Sequence, residues 1–541
     1  MRQTTLSVAL EVKPESYDHL SNLLDALRDR RSQDPSGGTG AYAEFLTRVP
    51  ALHFLSLSVF PGFDYDPLFV IEANFDGRPG PFWSQLEAAI GSDLRTMLRC
   101  CKRPLDSAGP LFDAVTAPDS RAPVAPYLEA RALTPTVYHH GNRGMSRDRI
   151  LAEAELFRAT RVELAGPDPH GPDPYRRLTP VQIHARLRAA LLPRFDWLAA
   201  KAPPRITLWE NAGDWVRLTL FVLAAVLALS LPGLVLRLAM PGERLAVLLG
   251  VAFLVLAALL QRIGGALPGT EVPTRFSFLK LAFTLLLPLA IFVLLYLVLA
   301  AAIVTPAAML LVGMGWRDAW EGVLAWLGWG VASVPVTLAG LALWLRVLER
   351  RDSSQDAPPV DPHMLREMAR REDWIPQNHM GSIVLVKPGV LRAILIRAGH
   401  RGLGLVLRIV ARNGYLGSMR TIHFAHWALV NNQSRLMFFS NFDQTWESYL
   451  DDFIEKAHGG LTLAWSCGIG FPPTRFLVKD GASHGRQFKE WARHSMTVSR
   501  FWYSAYKDLT ADQIERNYRI ALGLRRPTLT EKEAALWIND L

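Results

Sequence analysis

Residues 218–236, 245–260, 281–316 and 322–345 contain no charged side chain. Apolar runs of that length do not belong in water, and a helix of about 20 such residues crosses roughly 30 Å of hydrocarbon. The first and last runs, 19 and 24 residues, are long enough as they stand. The second has 16 residues and reaches across if Arg244 and Arg262 extend toward opposite interfaces. The third has 36, and Pro306 within it predicts one span followed by a kinked or interfacial segment. Four spans are therefore expected, which excludes a wholly soluble protein.

An even number of spans returns the chain to its starting side, and the basic residues near the spans choose that side. Lys201, Arg205, Arg217, Arg262, Arg275, Lys280, Arg346, Arg350 and Arg351 fall on the side of the termini; Arg237, Arg244 and Arg317 fall on the other. Both flanking regions and both termini are expected in the cytoplasm, with the chain in a bacterial inner membrane. The N-terminal segment MRQTTLSVALEVKPES alternates like a strand, so no signal peptide is expected. Cys100, Cys101 and Cys467 are odd in number and lack framework spacing, which argues against extracellular disulfides. Polar residues inside the runs are few, and none is Asp, Glu, Lys, Arg or His. Pumps and coupled transporters use ionisable groups there, so the block reads as an anchor packed on its small residues.

A repeat flanks this block. Residues 52–77 read LHFLSLSVFPGFDYDPLFVIEANFDG and residues 422–444 read IHFAHWALVNNQSRLMFFSNFDQ. Both start apolar-His-Phe, turn, and end Asn-Phe-Asp; Asp76 to Cys100 and Asp443 to Cys467 are both 24 residues apart. Upstream, TTLSVALEVKP matches HMGSIVLVKP. Downstream, TVYHHGNRGMSRDRILAEAELFRA matches SRFWYSAYKDLTADQIERNYRIAL, which sets Ser146 against Thr510 as helix caps and Ile150 against Ile514 as first core positions. Each copy reads β-α-β-β-α-β with a trailing helix, the split βαβ order of ferredoxin-like folds.

Two such copies in one chain resemble the dimeric α+β barrel superfamily, over roughly residues 1–160 and 375–525. The HF…NFDG and IHFAHW…FFSNFD…WESYLDDF segments, with KPG near the start and WYSAY near the end, resemble a bacterial membrane-anchored family of this duplicated layout. The fold class implied is α+β plus membrane helices, two ferredoxin-like repeats forming a pseudo-twofold barrel. The domain bounds are 1–160 first repeat, 161–214 helical linker, 215–348 transmembrane block, 349–374 linker, 375–525 second repeat and 526–541 tail. The superfamily includes haem-dependent peroxidases, haem-degrading monooxygenases and non-enzymatic ligand sensors, and so does not fix a reaction.

Strand alternation groups His53 with Leu55 and Leu57, and His423 with Ala425 and Trp427, leaving His426 on the reverse face. An imidazole on an inner sheet face would serve as an axial haem ligand or as a buried hydrogen-bonding group. Asp76 and Asp443 sit where a strand passes to a helix and would cap that helix; by the peroxidase resemblance, an aspartate there would act on peroxide. The candidate catalytic residues are His423 and Asp443. The candidate ligand-binding residues are His53, Asp76, His426, Trp427, Asn441 and Tyr503, with the aromatic-rich second copy expected to be the functional half. Haem or a lipid-derived apolar molecule is the expected ligand, for an oxidoreductase or for a non-enzymatic binding module. Arg392, Arg397, Arg401, Arg408, Arg412 and Arg420 lie amid Leu, Ile and Val in an amphipathic stretch suited to anionic lipid headgroups. Net charge is +9, yet no RNA-binding signature, zinc finger or helix-turn-helix supports a nucleic-acid partner.

Overall fold

A computed structural model describes residues 2–32, 43–62, 65–166, 175, 177–266, 278–353, 360–372, 376–411 and 419–541. Arg275 and Arg412 lie outside the described residues, as does the Lys280 side chain.

In the first half, β1 (Gln3–Glu11), α1 (Tyr17–Ser32), β2 (Leu52–Phe60), β3 (Leu68–Asp76) and α2 (Pro79–Arg99) precede β4 (Val137–His140) and α3 (Arg147–Ala165). A linking helix α4 (Pro180–Leu191) leads to four long helices, α5 (Leu208–Ala239), α6 (Gly242–Ile263), α7 (Phe278–Val312) and α8 (Trp316–Arg350). After α9 (Pro362–Arg371), the second half follows the same order. It comprises β5 (Gln377–Leu385), α10 (Val390–Val410), β6 (Ile422–Val430), β7 (Arg435–Asp443), α11 (Trp446–Trp465), β8 (Phe501–Ser504) and α12 (Ala511–Arg525), with a last short helix α13 (Glu531–Trp537). Irregularities recur too. Ile90 in α2 and Ala457 in α11 each break helical geometry 14 residues after the aspartate that ends the preceding strand.

The expected caps are present: Ser146 accepts from Arg149 N and Thr510 from Gln513 N, while Ile150 and Ile514 are buried. The last strands, however, change places. β8 pairs with β2, giving a first sheet ordered β8-β2-β3-β1 with Ala132–Leu133 on the far edge, and β4 pairs with β6, giving a second sheet ordered β4-β6-β7-β5. The terminal strands were expected to stay with their own copies. A four-residue strand carries too little pattern to name its partner, and the exchange lets each edge be covered by the other half.

The sheets meet through an apolar patch that includes Phe60, Val70, Ile383, Met437 and Phe439. Beside it lie direct polar contacts, with Thr5 Oγ1 2.9 Å from His140 Nε2 and Ser7 Oγ 2.8 Å from His426 Nε2. A third core joins the linker to the tail, because Leu187 and Leu191 of α4 pack with Leu156, Ile520, Leu524 and Trp537.

Among the described residues, four helices are long and apolar enough to cross a membrane. α7 runs through Pro306 to Val312 without a break, so the long third run makes one helix with no separate interfacial piece. α5 and α8 approach closely at small residues: Gly233 N donates to Ser333 Oγ at 3.1 Å, and a Cβ at Gly330 would come within 2.6 Å of Leu234. Arg346, counted among the basic residues on the side of the termini, is fully buried. It donates to the carbonyls of Ile263, Gly265 and Thr474, while Glu349 accepts from Phe476 N and Leu477 N. The membrane block is thereby bolted to the second half.

Candidate functional site

His53 and His423 each sit at a β-bulge. The β2–β3 pairing jumps from Leu52 to Phe54, and the β6–β7 pairing from Ile422 to Phe424. A bulge leaves one residue unpaired and re-aims it, so strict alternation fails here. The His423 ring lies 5.3 Å from Phe54 and 6.0 Å from Tyr506, between the sheets, not beside Ala425 and Trp427. The His53 ring lies 5.3 Å from Phe424, and its Nδ1 is hydrogen-bonded to Tyr506 Oη at 2.9 Å.

Each imidazole meets an aspartate. His423 Nε2 is 2.7 Å from Asp443 Oδ1; His53 Nε2 is 3.2 Å from Asp76 Oδ2, too poorly aligned to be a hydrogen bond. The aspartates do not cap the helices that follow them. Asp76 Oδ2 accepts from Arg147 N at 2.8 Å and Asp443 Oδ2 from Ala511 N at 2.7 Å, so they hold the first residues of α3 and α12. Thr445 caps α11, and α2 starts after Arg78 with no side-chain cap. Left-handed residues are the reason: Gly77 (φ +96°) and Gln444 (φ +73°) turn the chain before those helices begin and leave the carboxylates at the strand ends. Each His–Asp pair thus latches a helix that follows an exchanged strand. Asp443→Ala should destabilise the protein by about 3 kcal/mol, because a buried imidazole and a helix N–H lose their acceptor; thermal melting checks this. Asp76→Ala should cost less, its imidazole contact being longer and misaligned.

Trp427 points to the helix-covered face, 4.5 Å from Phe438 and 6.2 Å from Trp465. Tyr503, carried by β8 into the first sheet, packs 5.3 Å from Phe45 in the first half's core. The expected aromatic pocket around His423 is therefore not assembled. Nor do the histidines fit an axial haem ligand set. His423 Nδ1 has no hydrogen-bond partner, but the ring is buried against Phe54 and Tyr506, which occupy the space a macrocycle needs. Burial pushes the Cys467 thiol up to about 12, so it does not supply a thiolate at neutral pH.

His426 and Asn441 do join a polar cluster, and its centre is a residue the sequence reading passed over. Glu72 of β3 is fully buried, accepts from Ser56 Oγ at 3.2 Å and from Asn441 Nδ2 at 3.3 Å, and is also hydrogen-bonded by Asn74. Burial pushes its carboxyl up to about 7 against those hydrogen bonds. His379 Nε2 lies 3.8 Å away, and Trp502 Nε1 donates to Asn441 Oδ1 at 2.8 Å. Burial holds His379 and His426 down at about 3, so both are neutral at pH 7. A visible signal existed: Glu72 is an acid in the middle of the apolar strand LFVIEANFD, away from the Asp76 that ends it.

Outside His379 and Trp502 lies a recess of about 570 Å3, lined also by Arg28, Arg371, Arg500 and Met496. Asp25 holds all three guanidiniums, at 2.8, 3.3 and 2.6 Å. So anchored, they keep a fixed orientation while retaining further N–H groups. The recess draws Arg28 from the first half, Arg371 from α9 and His379, Arg500 and Trp502 from the second half, which no reading of one copy could assemble. No protein-family profile, curated protein or solved structure matches this chain.

Proposed function

We propose that this is a multi-pass inner-membrane protein whose flanking halves are a duplicated ferredoxin-like pair, related to the dimeric α+β barrel superfamily, that acts as a membrane-anchored ligand-binding module. The strand exchange supports both halves lying on one side of the bilayer, since β4 and β8 could not pair across it. The basic bias of the flanks makes that side the cytoplasm. The candidate catalytic pair His423–Asp443 is closed inside the protein and serves as a latch, which weighs against a haem oxidoreductase.

The observation that carries the binding reading is the recess ending at His379 and Trp502. Its oriented arginines suit a carboxylate, the Trp502 ring and Met496 suit a flat apolar body, and the Glu72 carboxyl behind them can take up or release a proton near neutral pH. The expected ligand is a small acid with a planar apolar body. 2-Naphthoate titrated into the detergent-solubilised full chain tests this by calorimetry. Wild type should bind, and Arg500→Gln should weaken binding about 10-fold or more, the scale of a lost charged hydrogen bond. Equal binding by both proteins would rule the recess out as the ligand site.

A further inference from the structure

The first three turns of α5 precede most of its uncharged run and carry Trp209, Glu210, Gly213, Asp214 and Arg217. Against them lies a second recess, of about 560 Å3, lined by Arg2, Arg143, Arg205, Arg217, Arg401 and Arg408. Its charges are unevenly matched. Asp214, only 1% exposed, holds Arg143 at 2.7 Å, Arg408 at 2.8 Å and Arg217 at 3.5 Å. Glu515 holds Arg205 at 2.7 Å, and Glu210 is engaged in capping α5 through Thr207. Arg2 and Arg401 have no carboxylate partner among the described residues. Six guanidiniums thus meet three carboxylates, which leaves three positive charges over.

One of these guanidiniums is also short of an acceptor. The Arg205 side chain is 8% exposed, yet its Nη2 has no hydrogen-bond partner. A buried charged donor left unpaired is costly, and a tetrahedral oxyanion is the acceptor whose geometry matches several guanidinium forks at once.

The position is equally specific. Arg217 is the last charged residue before the apolar run of α5, and Trp209 and Trp215 are 88% and 48% exposed beside it. Exposed tryptophans at the end of a span mark the headgroup level. α10 supplies Arg401 and Arg408, packs on α5 at Gly402 and Phe221, and exposes Val390, Ile394, Val406 and Val410.

We propose that this recess binds a phosphate-bearing anion at the membrane surface, with Arg2, Arg205 and Arg401 as its main donors. The placement at the surface rests on the reading that the four helices cross a bilayer; the phosphate chemistry does not. Either a phospholipid headgroup or a soluble phosphate would supply the group.

The full chain in phosphatidylcholine nanodiscs is titrated with inorganic phosphate in one arm, and placed in nanodiscs doped with phosphatidic acid in the other. Melting temperature and phospholipid retained in native mass spectrometry are the readouts. An Arg2→Gln, Arg401→Gln double variant, which removes no ion pair of the fold, is run beside wild type. Stabilisation in either arm that the double variant loses by about 10-fold or more in midpoint supports the proposal. Response to phosphatidic acid alone identifies the headgroup as the source, and response to inorganic phosphate identifies phosphate itself as sufficient. No response in either arm, or an unchanged response in the double variant, overturns it. Alkaline carbonate extraction is run separately: a chain released from membranes that still binds phosphate would overturn the bilayer reading and leave the recess standing.

Discussion

Glu72→Gln is expected to stabilise the protein, and to do so more as pH rises. The carboxyl has an ordinary value of 4.5 and is pushed up to about 7 in the fold, so between these values the unfolded chain has released a proton that the folded chain still holds. Folding stability from this group is full below pH 4.5 and is lost as pH climbs through 7, a total of about 3 kcal/mol. The amide keeps the shape, retains an acceptor for Ser56 and carries no charge to desolvate. The gap between variant and wild type should therefore grow from about 1 kcal/mol at pH 5 to about 3 kcal/mol at pH 8. Melting curves across that range would show a constant gap if the carboxyl does not titrate there.

The buried histidines act on the other side of the same profile. His379 and His426, at about 3, and His139, at about 4, stay neutral in the fold while the unfolded chain takes up protons near 6.5. Each contributes stability that falls as pH drops below 6.5, by about 2 kcal/mol apiece at pH 5. This exceeds what Glu72 returns over the same interval, and the balance still favours the histidines at pH 6.5, so stability should rise from pH 5 and level off at about pH 7 to 8.

Trp427→Ala is expected to cost about 3–5 kcal/mol, the range for truncating a large buried aromatic. It removes the ring that packs on Phe438 and Trp465, in a core that continues through Trp491. Because that core lies across the sheet from the Glu72 cluster, the folded fraction of the variant should bind 2-naphthoate as wild type does. A melting temperature close to wild type together with lost binding would move the ligand site to Trp427 and away from the recess.

Much of this architecture is written locally. An uncharged run of 16 or more residues has few alternatives to a long apolar helix, because a broken backbone in hydrocarbon leaves polar groups unpaired; α5 to α8 follow from that. Ser146 and Thr510 mark helix starts because a hydroxyl at that position takes an orphan N–H within the same turn. The recurring His-Phe and Asn-Phe-Asp motifs, with the equal spacing of Asp76 to Cys100 and Asp443 to Cys467, likewise carried the order of elements in both halves.

What the tertiary structure alone decided depends on contacts far apart in sequence. The bulges that turn His53 and His423 between the sheets appear in no alternation pattern, since one unpaired residue reverses the face. Asp76 and Asp443 looked like caps of the next helix, and instead accept from the first N–H of helices that begin 71 and 68 residues on, because left-handed turns intervened. The exchange of β4 and β8 set the candidate site. It removed Tyr503 to the first half's core and brought Trp502 beside His379 and Asn441. A sequence period reports which side of a strand is buried; it does not report against what, and the burial that raises Glu72 and neutralises His379 exists only once two sheets close over them.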